Sequence, residues 1–150
     1  MNFGRNNMPG TDQRIFTDSN APNVLFMPGV YNETMQLLGD AHEYFHLFGD
    51  DDQKRISPDL RTLYSCEMSR ITLRLSSIMA WIMVQRAVFT GKILPEEAAT
   101  SYGLDFKDVC MVDNSMLHGV LPSYVCYLLD RSLELYERVY RLDGQVKSIH

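Results

Sequence analysis

The chain has 150 residues, 45% of them apolar and 22% charged, which is the composition of a single ordinary globular domain with a buried core. Its 14 Lys and Arg against 19 Asp and Glu give a net charge of −5, which repels a phosphate backbone, so we expect no nucleic-acid partner. The three cysteines include no CxxC pair, and the N-terminus does not resemble a signal peptide. No apolar run approaches the roughly 18 residues of a membrane span. These features predict a cytoplasmic protein.

The N-terminal residues 1–23 are rich in Asn, Asp, Gly and Pro, which predicts a flexible arm before a folded domain at 24–144. Two adjacent apolar rows at helical spacing over 28–48 predict the first helix. Gly49, followed by three aspartates, predicts the end of that helix and a polar turn.

The second helix has the clearest start signal in the chain. Ser57 is expected at the N-cap, Pro58 at the first helical position and Asp59 beside the positive end of the helix dipole. The helix is expected to end at Gly91, about 50 Å from its start at about 1.5 Å per residue. Its second half is apolar on more than one side, which predicts a core hub or dimer interface formed by Trp81, Val84 and Val88.

The remaining residues hold one short and one long predicted helix. A short helix is expected from Pro95, in the connection between the second and third long helices. The third long helix is expected to begin at Pro122 and to end at Gly144, which leaves 145–150 as a short tail. Its apolar residues follow heptad spacing, which only Ser132 interrupts. We therefore predict an all-α fold, a three-helix bundle with a short extra helix in the helix 2–3 connection.

One motif resembles a catalytic site. Residues 42–46 read HEYFH, the zinc-protease pattern HExxH, in which His42 and His46 bind zinc and Glu43 is the general base. Glu67 is the nearest plausible third ligand. Neither an extended zincin signature nor an edge strand for a substrate accompanies the motif. We predict no catalytic residue, cofactor or metal, and keep as the alternative a helical zinc-binding protein or hydrolase built on His42, His46 and Glu67.

Several polar residues lie beside the apolar rows, where either a neighbouring helix or a partner protein can take their hydrogen bonds. On the third long helix, Arg138 can pair with Glu134 and Arg141 with Glu137, each at i,i+4 spacing. Exposed tyrosines and arginines also suit a protein interface. The candidate partner-binding residues are Glu67, Arg74, Arg138, Tyr140 and Arg141.

Two sequence blocks resemble the alphaproteobacterial RcdA family, the regulators of CtrA degradation. The first block comprises 64–67, 71–75, Trp81, 85–88 and Gly91. The second comprises Leu121, Pro122, Ser132 and 135–143. Together with a match of the first helix over 16–49, the resemblance covers most of the chain.

The resemblance implies a three-helix bundle, commonly dimeric, that acts as a non-enzymatic adaptor of the ClpXP protease in cell-cycle control. The implied partners are ClpX with a response-regulator-like primer adaptor, and protein substrates or further adaptors. The chain departs from the family in its short tail and in 104–119, which follows no family pattern. A structural homodimer without a link to a protease is a further alternative.

Overall fold

The structure is a computed structural model that describes residues 27–104 and 106–149. Three long helices form the bundle: α1 (Met27–Arg55), α2 (Pro58–Phe89) and α5 (Ser123–Ile149). The connection between the last two contains α3 (Pro95–Ser101), the single turn α4 (Lys107–Cys110) and a 3₁₀ turn at Ser115–Leu117. The predicted three-helix bundle with an extra short helix is confirmed. The predicted arm at 1–23 lies outside the described residues.

Side-chain pairs show that α2 and α5 run in the same direction. Arg74 pairs with Ser132, and Trp81, further along α2, pairs with Asp143, further along α5. Parallel neighbours need a connection that returns along the length of the bundle. This is why more than 30 residues separate the two helices, and why α3 and α4 pack on the side of α2.

Helix α1 runs antiparallel to α5. Glu33, near the start of α1, pairs with Arg138 in the second half of α5. Tyr44, in the second half of α1, lies with its ring centroid 5.1 Å from that of Tyr124, at the start of α5. The C-terminal end of α1 and the N-terminal end of α5 therefore form one end of the bundle.

On α2 and α5 the core lies along the faces that the apolar spacing predicts, because burying these side chains removes apolar surface from water. The α5 seam is buried except for a half-buried Leu142. Within the described residues, no helix is long and apolar enough to cross a membrane. The buried apolar residues of α2 and α5 are Tyr64, Ile71, Leu75, Ile78, Trp81, Ile82, Val125, Cys126, Leu128, Leu129, Leu135, Tyr136 and Val139.

Both ends of α2 lie where the sequence signals place them. Ser57 occupies the N-cap with an extended backbone, although its side chain forms no cap hydrogen bond. At the other end, Gly91 has φ +75° and its N–H donates to the carbonyl of Val88, while the N–H of Lys92 donates to that of Ala87. This pair of bonds closes the helix and uses a left-handed residue, which glycine adopts without a Cβ clash.

The predicted end of α1 at Gly49 is wrong, because the helix continues to Arg55. Gly49 is buried where α1 approaches α2, and a Cβ there would lie 3.3 Å from Phe45 Cδ2 and 3.6 Å from Tyr64 Oη. The absence of a side chain at Gly49 thus allows α2 to approach α1 closely, and α1 continues through the glycine without a break. Asp52, expected in a turn, instead accepts a hydrogen bond from Tyr44 Oη.

The predicted end of α5 at Gly144 is also wrong, because the helix continues to Ile149. A glycine inside a helix costs roughly 1 kcal/mol relative to alanine. Here Lys147 Nζ lies 3.0 Å from Asp143 Oδ2 across the glycine, and Val146 packs against the core. These contacts offset the cost, and 145–149 are helical.

Candidate partner-binding surfaces

Arg74 is fully buried, and its guanidinium group joins three parts of the fold. Its five N–H groups have five oxygen acceptors at 2.8–3.2 Å, none of them a carboxylate. Burial, and then the nearby Arg70, lower the pKa of Arg74 to about 10. The structure thus supports bonding within the bundle over a partner contact for this side chain. The acceptors are the carbonyl oxygens of Cys110, Val112 and Leu129, Ser132 Oγ and Asn114 Oδ1.

Glu67 is also buried, and its carboxylate is occupied by a neighbour on the same helix. Arg70 Nη1 lies 2.6 Å from Glu67 Oε1 and 2.5 Å from Oε2. A carboxylate that is paired and nearly inaccessible has little capacity left for a metal ion or for a partner protein. The structure therefore places this candidate inside an ion pair within α2.

The HExxH histidines lie on the surface of α1. His42 and His46 are exposed, and their rings stack one turn apart with centroids 6.1 Å apart. Among the residues that the structure describes, no group of three His, Cys, Asp or Glu side chains is placed to hold a metal ion. The structure does not bring Glu67 to the histidine pair as the third ligand that catalytic zinc needs.

Arg138 pairs across helices and not along its own. Its Nη2 lies 2.6 Å from Glu33 Oε2 of α1, and Arg131 Nη2 lies 3.1 Å from the other oxygen of the same carboxylate. Glu134 pairs at 3.6 Å with Arg131. The predicted Glu134–Arg138 pair is therefore wrong, because the carboxylate of α1 takes its place.

Tyr140 and Arg141 follow Arg138 on α5. The Tyr140 ring is half-buried, with Lys107 Nζ 4.9 Å from its centroid, so α4 covers part of it. Arg141 is exposed and has no ion pair with any described residue, so the predicted pair with Glu137 does not form. Of the five candidates, Arg141 is the most accessible to a partner.

The predicted hub divides into a buried residue and two half-buried ones. Trp81 is buried, and its Nε1 donates a 2.9 Å hydrogen bond to Asp143 Oδ1. Asp143 Oδ2 also accepts from the backbone N–H of Leu104, so one carboxylate joins α2, α5 and the connection. Val84 and Val88 are half-buried. Trp81 is therefore part of the core, whereas the two valines border the surface.

Helix α1 carries an exposed apolar surface that was not predicted from the sequence. Phe45, Leu47 and Phe48 are each more than half exposed, although Phe45 and Phe48 belong to the predicted core rows. The signal was present in the sequence, because α1 carries two apolar rows and a further leucine, which is more than contact with two helices can cover. This surface borders two cavities.

The first cavity is a groove of about 730 Å³ between α1 and α2. Its walls are mainly apolar, with His42 at one side. Exposed apolar grooves of this kind are typical of sites where proteins associate. The apolar residues that form the groove include Leu38, Ala41, Phe45, Met68 and Leu73.

The second cavity, of about 380 Å³, lies at the end of the bundle where α1 meets α5. It combines three aromatic rings with three carboxylates, and we call it the acidic aromatic pocket. Tyr44, its deepest ring, has a raised pKa, chiefly because of burial and also because its hydroxyl donates to Asp52. The pocket is defined by Asp40, Glu43, Tyr44, Phe48, Asp52 and Tyr124.

Comparison with known proteins agrees with this architecture. Residues 21–149 match the profile of the family described as "Protein of unknown function (DUF1465)". Among solved structures, RcdA from Caulobacter crescentus CB15 is similar, with 32% identity, a TM-score of 0.63 and coverage of 81% of this chain and 90% of that chain. A comparison with curated proteins finds no match. The chain therefore belongs to the DUF1465 family, the family of RcdA.

Proposed function

We propose that this chain is a non-enzymatic adaptor that delivers cell-cycle regulators to the ClpXP protease in the cytoplasm by protein–protein binding. The observation that carries the proposal is the similarity to RcdA, at 32% identity over 81% of this chain. The proposed partners are ClpX with a response-regulator-like primer adaptor, and protein substrates or further adaptors.

The placement of polar side chains supports a binding role. Arg74, Glu67 and Asp143 are buried, and each is occupied by bonds inside the bundle. The exposed histidine pair lacks a third ligand from the described residues, so no observation favours the zinc hydrolase alternative. An adaptor needs no reactive group, because it accelerates degradation by raising the concentration of a substrate near the protease.

We place one partner contact on the second half of α5. Arg141 is exposed and free of ion pairs among the described residues, and Tyr140, the preceding residue, is half-buried and presents part of its ring. Arginine and tyrosine contribute much of the binding energy at protein interfaces. Arg138 is also partly exposed, but its pairing with Glu33 reduces what it can offer a partner.

The proposal is tested by reconstituted proteolysis with purified ClpXP, a primer adaptor and family-type substrates, with and without this protein. We expect faster degradation only when this protein and the primer are both present. Arg141→Glu is expected to reduce the acceleration, whereas Lys92→Glu, the same charge reversal at another exposed cation, is not. Unchanged degradation of several substrates, with folded protein and active primer, overturns the adaptor function.

We also propose that the chain forms a homodimer through the second half of α2. Met83 there is 64% exposed beside half-buried Val84 and Val88. Light scattering at tens of micromolar is expected to give twice the mass of the chain, and Met83→Glu to give the monomer mass. The matched control is Leu47→Glu on α1, at a residue 57% exposed. A monomeric parent contradicts the dimer, and a dimer lost only in Leu47→Glu contradicts the proposed face.

A further inference from the structure

The acidic aromatic pocket presents aromatic faces to solvent. Phe48 is 56% exposed, and Tyr124 is 39% exposed. The rings form a continuous cluster: the Tyr44 centroid lies 5.1 Å from that of Tyr124 and 6.5 Å from that of Phe48, and Tyr127 extends the cluster 5.5 Å beyond Tyr124. Exposed faces of clustered rings attract cations, because the π face of each ring is electron-rich.

Carboxylates surround these rings. Asp40 and Glu43 line the pocket one turn apart on α1, and Asp52 lines it from the last turns of the same helix. The pKa of Tyr124 is raised, first by burial and then by the negative charge of Asp40 and Glu43, so both carboxylates act at this ring. The pocket therefore has an apolar aromatic wall inside a negative electrostatic field.

The described chain supplies little positive charge of its own to this pocket. Asp40 accepts a hydrogen bond from Gln36, and neither Asp40 nor Glu43 has a Lys or Arg within ion-pair distance among the described residues. Asp52 accepts a hydrogen bond from the Tyr44 hydroxyl, and its one ion pair with a described residue is a long contact of 3.9 Å with the highly exposed Arg55. Elsewhere the chain pairs such groups closely, as Glu33 is paired by two arginines. Asp40 and Glu43 are thus available to a cation from outside.

We propose that the acidic aromatic pocket binds an arginine or lysine side chain from a basic segment of a partner protein. The cationic head would contact Asp40 and Glu43, and the apolar stem would lie on Phe48 and Tyr124. An acidic peptide or a nucleic acid is repelled by the same field. This proposal does not depend on the delivery of substrates to ClpXP, because it concerns only a basic segment and this chain.

The probe is a fluorescein-labelled nonapeptide with three arginines separated by Gly-Ser spacers, and its counterpart with neutral citrulline in place of arginine. Binding is measured by fluorescence anisotropy at 50 and 150 mM NaCl and located by amide chemical-shift changes. We expect shifts around 40–52 and 123–128, weaker binding at higher salt and little binding of the citrulline peptide.

Three variants separate this site from general attraction to an acidic protein. Asp40→Asn/Glu43→Gln is expected to weaken binding about tenfold, and Tyr124→Leu, which keeps an apolar side chain but removes the ring face, about threefold. Glu96→Gln/Glu97→Gln on α3 removes the same charge from exposed residues and is expected to change binding less than twofold. Circular dichroism tests whether each variant is folded.

Several results overturn the proposal. They are an absence of binding at 50 mM NaCl, equal binding of the citrulline peptide, equal losses in both double carboxylate variants, or shifts that lie on another face of the bundle. The peptide measurements and the degradation assays test different proposals. If the pocket binds the peptide but the protein does not accelerate proteolysis, only the adaptor function is contradicted.

Discussion

Arg74 Nη1 of α2 donates a 3.1 Å hydrogen bond to Ser132 Oγ of α5, the one polar residue in the heptad seam of that helix. Two features that look unrelated in the sequence thus form one contact. A leucine at Ser132 would improve the apolar spacing, but it would remove an acceptor from a buried cation. The polar interruption of the seam is explained by the arginine that it faces.

Arg74→Met is expected to lower the free energy of unfolding by about 3 kcal/mol or more. Methionine fills similar space but leaves five oxygens, four of them in buried contacts, without the donors they have in the parent, and each buried unsatisfied group costs about 1–3 kcal/mol before relaxation. Urea unfolding followed by circular dichroism at 222 nm measures the change. Arg141→Met, at an exposed residue, serves as the control and is expected to stay within about 0.5 kcal/mol. Equal stability of the two variants contradicts the bonding role.

The Glu33–Arg138 pair is expected to couple α1 to α5. In a double-mutant cycle of Glu33→Gln and Arg138→Gln, we expect a coupling energy of about 0.5–1 kcal/mol, because both side chains are partly exposed. The coupling should shrink as NaCl is raised, since exposed charges are screened. Charge reversal by Arg138→Glu is expected to destabilise the protein more than Arg141→Glu, since only the former places a second carboxylate beside Glu33. A zero coupling energy at low salt refutes the pair as a stabilising contact.

Tag-free purified protein is expected to contain no stoichiometric zinc. The HExxH pair, His42 and His46, is exposed and has no third ligand from the described residues, and two imidazoles leave half of a tetrahedral site open. Elemental analysis by mass spectrometry gives the metal content. One zinc per chain, lost in both His42→Ala and His46→Ala, would show that this expectation is wrong.

Stability is expected to fall as pH rises above about 9. Burial raises the pKa values of Cys110 and Cys126 from 9.0, and those of Tyr44 and Tyr64 from 10.0. These groups ionise first in the unfolded chain, so it binds fewer protons than the folded chain, and the free energy of unfolding decreases with pH. Arg74, whose pKa is lowered to about 10, acts in the opposite direction from about pH 9 upward, but this one group offsets only part of the effect of the other four.

Urea unfolding midpoints from pH 7 to 10.5 test this expectation. Tyr44→Phe is less stable at pH 7 because it loses the bond to Asp52, but its midpoint should decline less steeply above pH 10 than that of the parent. A midpoint that is constant or rises between pH 8.5 and 10.5 contradicts the assignment.

The sequence was sufficient to predict the three long helices, because their signals are local. Pro58 after Ser57 and the glycine at Gly91 set the bounds of α2, and heptad spacing set the buried face of α5. The resemblance to the RcdA family rested on these same helices, where identity is easiest to recognise. Local patterns and family resemblance therefore agreed on the fold.

The sequence predictions were wrong or incomplete where tertiary contacts between separate parts of the chain determine the structure. Gly49 and Gly144 have the local signature of helix ends, yet one accommodates α2 and the other lies between Asp143 and its Lys147 partner. The acidic aromatic pocket joins α1 to Tyr124, about 80 residues later, so no spacing in the sequence could reveal it.

The carbonyls of Cys110 and Val112 and the amide of Asn114 are held by one guanidinium group, and this restricts the length of the connection. An inserted or deleted residue between 110 and 114 would move at least one acceptor out of reach of Arg74, so relatives with an arginine here should keep the spacing of this stretch constant. Gly119 lies outside that restriction, because it is exposed and a Cβ added there would meet no atom within 4 Å. We therefore expect length differences between relatives, and cleavage by added proteases, near Gly119 and not within 110–114, although both segments lie in the same connection.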